Sequence, residues 1–410
     1  MKRPLLILTV FTLWISPVWG ALRYGLGSAV AHRSADLMNQ AYQQTGNNGF
    51  PFLPSCGSNM ALFTAPPVTD PTFVSINPMG HVFPPGHTFP ADHAYFGFSG
   101  TSDNVNLFAP GNGWVTQVTT LYGVGNSSDG YVITFSPCQE VKMDNLSVNS
   151  IPQAFINPPG SVTTCSNFGG NFPGAVASCV TNMQVPVKAG QLLGTGGLVD
   201  FGPIEDTRFQ IAGFVDPARH DLNRGFCPLN YFAPALQATY TAMLGGNNGS
   251  VLVPRTAQPL CGTIMQDIAG TAQGDWFFPG APYPPDDPHL ALIHHNIAYS
   301  TATFSVGSSI PEFAGAHDLE LKTVADSTRI NYDWPLVNDT QLYCYDTILV
   351  EFNNGPGGPD PSYVGDIVLL QLSGPSLDTL TIELQTPGKT CSGVGAGAWA
   401  FTGNAVTFQR

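Results

Sequence analysis

Glycine and proline punctuate this chain from end to end, 45 and 36 of its 410 residues. One frees the backbone and the other removes a hydrogen-bond donor, so both interrupt helices. At about a fifth of the chain, they leave short strands joined by turns, with room for a few short helices. A hydrophobic share of 43% with 11% aromatics is too high for a disordered polymer.

Between these interruptions the text reads as strands. "GWVTQVTTL", "GYVITFSP", "MQVPVKAG", "LYCYDTILVEF", "DIVLLQLS" and "TLTIELQ" are β-prone runs of strand length. Two segments differ. "LGSAVAHRSADLMNQAYQQ", residues 26–44, lacks proline and carries helix formers. "LNYFAPALQATYTAMLGG" spaces Leu229, Phe232, Leu236, Tyr240 and Leu244 at near-helical intervals before a Gly-Gly stop. The expected class is therefore mainly β, with two successive antiparallel β domains. The expected division is an export segment (1–20), an N-terminal segment with a helix (21–72), a β domain closed by a helix (73–245), a Gly/Pro-rich connector containing "APYPPDDP" (246–288) and a C-terminal β domain (289–410).

The start of the chain has the form of an export signal. Lys2 and Arg3 precede the apolar "PLLILTVFTLWIS", and Val18 and Gly20 offer small residues before a cut. The apolar run is short for a bilayer, and no later window is long enough, so the mature chain is expected to lack a transmembrane segment. Secretion to the periplasm or the cell exterior follows. The eight cysteines are even in number and contain no C-x-x-C pair, which predicts disulfides rather than a cysteine zinc site. Cys344 and Cys391 lie far from the other six and are expected to pair. A net charge of −14 excludes nucleic acid as a natural partner.

Chemistry-bearing residues concentrate in "GHVFPPGHTFPADHAYFGF", residues 80–98, which holds His81, His87, Asp92 and His93. These residue types bind zinc or move protons. On a strand, neighbours such as Asp92 and His93 face opposite sides, so either one or the other is expected to point into a site. "QDIAGTAQGDWF" gathers Gln266, Asp267, Gln273 and Asp275 beside Trp276. That set suits sugar contact or, equally, a packed turn at a domain interface. Asp200, Glu205 and Asp206 would suit a cation with oxygen ligands. His294 and His295 alternate along a strand pattern and are not expected to share a ligand.

The order of pieces from Phe73 to Asp216 resembles the lysostaphin-type M23 metallopeptidase domain, the duplicated hybrid motif fold. "HTFPADHAYF" stands where the family has its His-x-x-x-Asp strand, "FAPGNGWVTQV" is similar to its A-P-x-x-G-x-V hairpin, and "VPVKAGQLLGTGG" is similar to the glycine turn before its His-x-His strand. The resemblance covers about a third of the chain. It implies a zinc ion held by three protein ligands, with a histidine beside the bound water. Carried over, the metal ligands are His87 or His81, Asp92 or His93, and Asp200, while His93 and His220 are the candidates for a catalytic imidazole. Two departures stand out. His87 and Asp92 are five apart rather than four, and Leu198-Val199-Asp200 occupies the place of His-x-His. The expected function is accordingly a non-catalytic binding or structural role on a degenerate scaffold, with cell-wall glycan or peptide as the partner. The alternative is a zinc-dependent endopeptidase acting on peptidoglycan or a related peptide polymer.

Overall fold

The computed structural model describes residues 53–99, 104–122, 130–166, 177–196, 200–248, 251–313, 315–324, 328–349, 366–385, 390–394 and 399–410. The export segment, the helix expected over 26–44, and Leu198 and Val199 lie outside the described residues.

The chain is mainly β, built from several antiparallel sheets. A seven-stranded sheet dominates the first half. Its spatial order is Arg224–Phe226, Ile204–Asp206, Val141–Val148, Gly130–Ser136, Gly113–Tyr122, Ala177–Val187 and Val162–Ser166. Along Gly113–Tyr122 buried and half-buried positions largely alternate, the mark of a sheet with one face on a core. That core includes Phe63, Phe96, Phe135, Phe155, Phe201 and Tyr231. A three-stranded sheet packs into it, with Ala94–Phe98 between Phe73–Asn77 and Asp200–Phe201.

The second half is a sandwich of two sheets. One contains Gly274–Trp276, Leu290–His294, Ala302–Val306, His317–Leu321 and Ile348–Leu349; the other contains Leu342–Tyr345, Ile367–Ser373, Thr379–Gln385 and Val406–Gln409. Every residue of Leu290–His294 is buried, and the alternation of side chains explains why. Leu290 and Leu292 point into the sandwich core with Trp276, Phe304 and Leu370. Ala291 and Ile293 point the other way, into a small apolar cluster with Phe277, Val82 and Phe89. Since Val82 and Phe89 belong to the first half, this cluster joins the two.

The four disulfides are Cys56–Cys138, Cys165–Cys179, Cys227–Cys261 and the expected Cys344–Cys391, and no cysteine is free. Other expectations need correction. "FAPGNGWVTQV" is not a hairpin. Val105–Phe108 pairs with Leu192–Gly196, and Gly113–Tyr122 pairs with strands of the large sheet. The chain turns a corner between sheets, and Gly113 sits where a Cβ would lie 2.7 Å from the Phe135 ring. Asp200–Phe201 is an edge strand of its sheet. The closing helix is shorter than its hydrophobic spacing suggests and runs from Pro234 to Thr241. Ala233 precedes a proline, which disfavours helical dihedrals, and its N–H donates instead to the Phe63 carbonyl. The segment read as a connector contains the hairpin Gly245–Asn248/Val251–Pro254 and the edge strand Gly274–Trp276 of the second sheet.

Candidate functional site

Residues 80–93 form a tight loop closed by reciprocal backbone hydrogen bonds between Phe83 and His87, 2.8 and 3.0 Å. The loop delivers its imidazoles to one place. The rings of His81 and His93 lie 4.9 and 4.8 Å from that of Tyr95, the rings of His87 and His93 are 5.0 Å apart, and the Tyr95 hydroxyl bonds His87 Nε2 at 3.1 Å. Asp200 pairs opposite Tyr95 in the adjacent strand, so the sheet brings His81, His87, Asp92, His93 and Asp200 into one neighbourhood. The expectation that Asp92 and His93 point apart fails. Asp92 precedes the strand that starts at Ala94, so strand alternation does not yet apply, and its Oδ1 accepts from His93 Nδ1 at 2.8 Å. A carboxylate acceptor places the proton on Nδ1.

The other oxygen of Asp92 is also taken. Arg224 donates from Nε to Asp92 Oδ2 at 2.7 Å and from Nη1 to Asp144 Oδ2 at 2.8 Å. Lys142 pairs with Glu205 at 2.8 Å and lies 3.9 Å from Asp144. Burial opposes ionisation of Asp144, but Lys142 and Arg224 outweigh it and hold the carboxyl below its ordinary value. Burial likewise works against the Arg224 charge, and Asp92 and Asp144 overcome it and hold the guanidinium pKa up. Asp200 behaves oppositely. Burial raises its pKa despite His93 and a 2.9 Å hydrogen bond from the Ser147 hydroxyl.

Of the groups around this network, His87, Asp92, Lys142, Glu205 and Arg224 line part of the wall of a cavity of about 330 Å³. Another part of the wall is made by Phe214, His220, Asp275, Tyr283 and Asp286. His220 thus lines the same cavity as Asp92. Its ring stacks on Phe214 with centroids 3.8 Å apart, and its Nε2 lies 4.0 Å from Asp275 Oδ2. Burial pushes the His220 pKa down to about 4, so the ring is neutral at pH 7. Burial raises Asp286 to about 8 and Asp275 well above its ordinary value, with Asp267 and Asp286 adding like-charge repulsion. The cavity thus combines a neutral imidazole and two carboxyls of raised pKa with a satisfied ion network.

The remaining sequence candidates are structural in this arrangement. Trp276 is fully buried in the second core, and Gln266 exchanges hydrogen bonds with the His294 backbone. Asp267 accepts from the N–H groups of Val215 and Asp275. His294 bonds Asp333 at 2.8 Å, while His295 faces Glu320 at 3.2 Å, on separate sites as the alternation predicts. Arg224, Asp144 and Asp286 were not legible as site residues, because their partners lie 80 to 197 positions away. The sole local signal was "PPDDP", whose paired aspartates sit among prolines.

Zinc does not fit the places that the M23 resemblance assigns to it. Asp92 is committed to His93 and Arg224. Among the described residues, the group of three or more potential ligands within 4.8 Å of one another is Cys56, Cys138 and Glu140, and its two cysteines are joined in a disulfide. Comparison with known proteins finds no matching family model, no matching curated protein and no matching solved structure.

Proposed function

We propose that this chain is an exported protein with a degenerate M23-like scaffold, non-catalytic, whose cavity binds a glycan or peptide segment of the cell envelope. The observation that carries this reading is the saturation of Asp92. A zinc ion on that carboxylate would meet the Arg224 guanidinium at about 4 Å, a repulsion of about 8 kcal/mol for a dication at an effective dielectric of about 20. The cavity itself supports binding. Its volume lies at the lower end of small-molecule sites, and aromatic walls with a few converging polar groups are what such sites use. Export is consistent with four disulfides, which persist in oxidising compartments. No helix among the described residues is long and apolar enough to cross a membrane.

The alternative reading, a zinc endopeptidase, has in its favour the gathering of His81, His87 and His93 around Tyr95. One preparation tests both. Protein purified without added metal is expected to carry substoichiometric zinc, to leave peptidoglycan uncut and to co-sediment with purified envelope polymer. One zinc per chain, lost together with hydrolysis in His87→Ala or Asp200→Ala, would restore the enzyme. Failure to sediment would remove the binding role.

A further inference from the structure

The seven-stranded sheet ends differently on its two sides. One edge, Arg224–Phe226, is three residues long, begins with an arginine and has Gly225 at a φ of 95°. The other, Val162–Ser166, is five residues long, and its first four residues are exposed. An open edge offers main-chain N–H and C=O groups to any further strand, and natural edges are blunted by brevity, charge, proline or a bulge. Val162–Ser166 reads VTTCS, without charge or proline. Its register with Ala177–Val187 runs unbroken from Val162 opposite Asn182 to Ser166 opposite Ser178. The Cys165–Cys179 disulfide clamps it to that neighbour, with the two Cα atoms 4.0 Å apart, the close spacing of a pair that exchanges no main-chain hydrogen bonds. The main-chain groups of Cys165, and by the two-residue repeat those of Thr163, therefore point away from the sheet. Among the described residues no other main-chain group takes them.

Charge selects the partner. The chain carries −14, so two copies repel each other in general. That repulsion is weakest at this edge. No charged residue occurs between Asp144 and Lys188, and Gly130–Ser136, Gly113–Tyr122, Ala177–Val187 and Val162–Ser166 contain none. The strands of the opposite side carry Lys142, Asp144, Glu205, Asp206 and Arg224. We infer that Val162–Ser166 pairs with the same strand of a second copy, antiparallel about a two-fold axis at Thr164. That register sets Thr163 of each copy opposite Cys165 of the other, and each such pair exchanges two main-chain hydrogen bonds. The two Thr164 side chains meet at the axis, and threonine pairs stabilise adjacent strands. A two-fold contact consumes the edge of both copies, so pairing stops at the dimer. The strand is short, and the interface falls below the size of a permanent one, so the dimer is reversible. A foreign strand would use the same main-chain groups, but like-charge repulsion, which an uncharged edge relieves, arises for a second copy in particular.

Sedimentation velocity of the full mature chain tests the inference. Monomer is expected to give way to dimer with a midpoint between about 10 µM and about 1 mM. Thr163→Pro deletes an outward N–H and leaves the inward ladder intact, and should weaken the dimer at least tenfold. Thr164→Glu and Thr164→Lys each place like charges at the axis and should weaken it as much, whereas an equimolar mixture of the two should recover dimer. All three positions of change are exposed, and far-UV dichroism should stay that of the parent. A chain still monomeric at about 1 mM, a dimer indifferent to Thr163→Pro, or a mixture that does not recover would overturn the pairing. So would amide exchange at Thr163 and Cys165 that slows on addition of envelope polymer but not with rising protein concentration, which would give the edge to a foreign partner.

Discussion

The two walls of the cavity carry the same kinds of residue, aspartate and histidine, and differ in how those residues are satisfied. On the Asp92 wall both carboxylate oxygens are engaged, by His93 and by an arginine shared with Asp144. On the Asp275 wall the acid and the imidazole stand 4.0 Å apart, each with a buried atom unbonded among the described residues. The first arrangement stabilises a fold. The second leaves buried hydrogen-bonding capacity unfilled among the described residues. Residue type alone pointed to the first wall, and accounting for partners points to the second.

The largest way to break this contrast is Arg224→Met. It leaves Asp92 buried without its cation and Asp144 with Lys142 alone at 3.9 Å, and the expected cost is about 3–5 kcal/mol, read as a shift in the urea midpoint. A loss below about 1 kcal/mol would mean that the network is not what holds this wall.

pH separates the walls by sign. Asp286 rises from 3.8 to about 8 on folding, so between those values the folded chain holds a proton that the unfolded chain has lost. Its contribution therefore declines as pH rises from about 4 to about 8, by at most about 1.4 kcal/mol per pH unit. Asp144 is shifted below 3.8, so its contribution is complete above that value and is lost as pH falls through the folded pKa. Subtracting the stability profile of Asp286→Asn from that of the parent should expose the first slope. A flat difference between pH 5 and 8 would place Asp286 outside the unsatisfied wall. The smallest effect belongs to Ser147→Ala. It removes one hydrogen bond to Asp200, for an expected loss of about 1 kcal/mol and a further rise in the Asp200 pKa. A neutral result would show that Asp200 keeps its place without the hydroxyl.

What the sequence made legible follows from what is local. Turn residues and alternating runs disclosed the β class, and isolation along the chain disclosed the Cys344–Cys391 pair. The grouping of 80–98 was visible because it is contiguous. Arg224 lies in "LNRGF" and Asp144 in "KMDNL", and nothing in either segment announces a partner. They meet because Ile204–Asp206 pairs with Val141–Val148 on one side and with Arg224–Phe226 on the other. Strand alternation misjudged Asp92 and His93 by assuming a strand two residues too early. Asp286 was read as linker, since proline on both sides of "DD" looks like spacing rather than a wall.

The cluster of Val82, Phe89, Phe277, Ala291 and Ile293 has a mechanical meaning. It is the seam between the halves, and Phe89 also belongs to the cavity lining. Asp92 and Arg224 come from one side of that seam, Asp275 and Asp286 from the other. The cavity is therefore not carved into either half but enclosed by their closure. A molecule lodged there works as a rivet: prising the halves apart requires expelling it. Occupancy would then become resistance to pulling and to proteases.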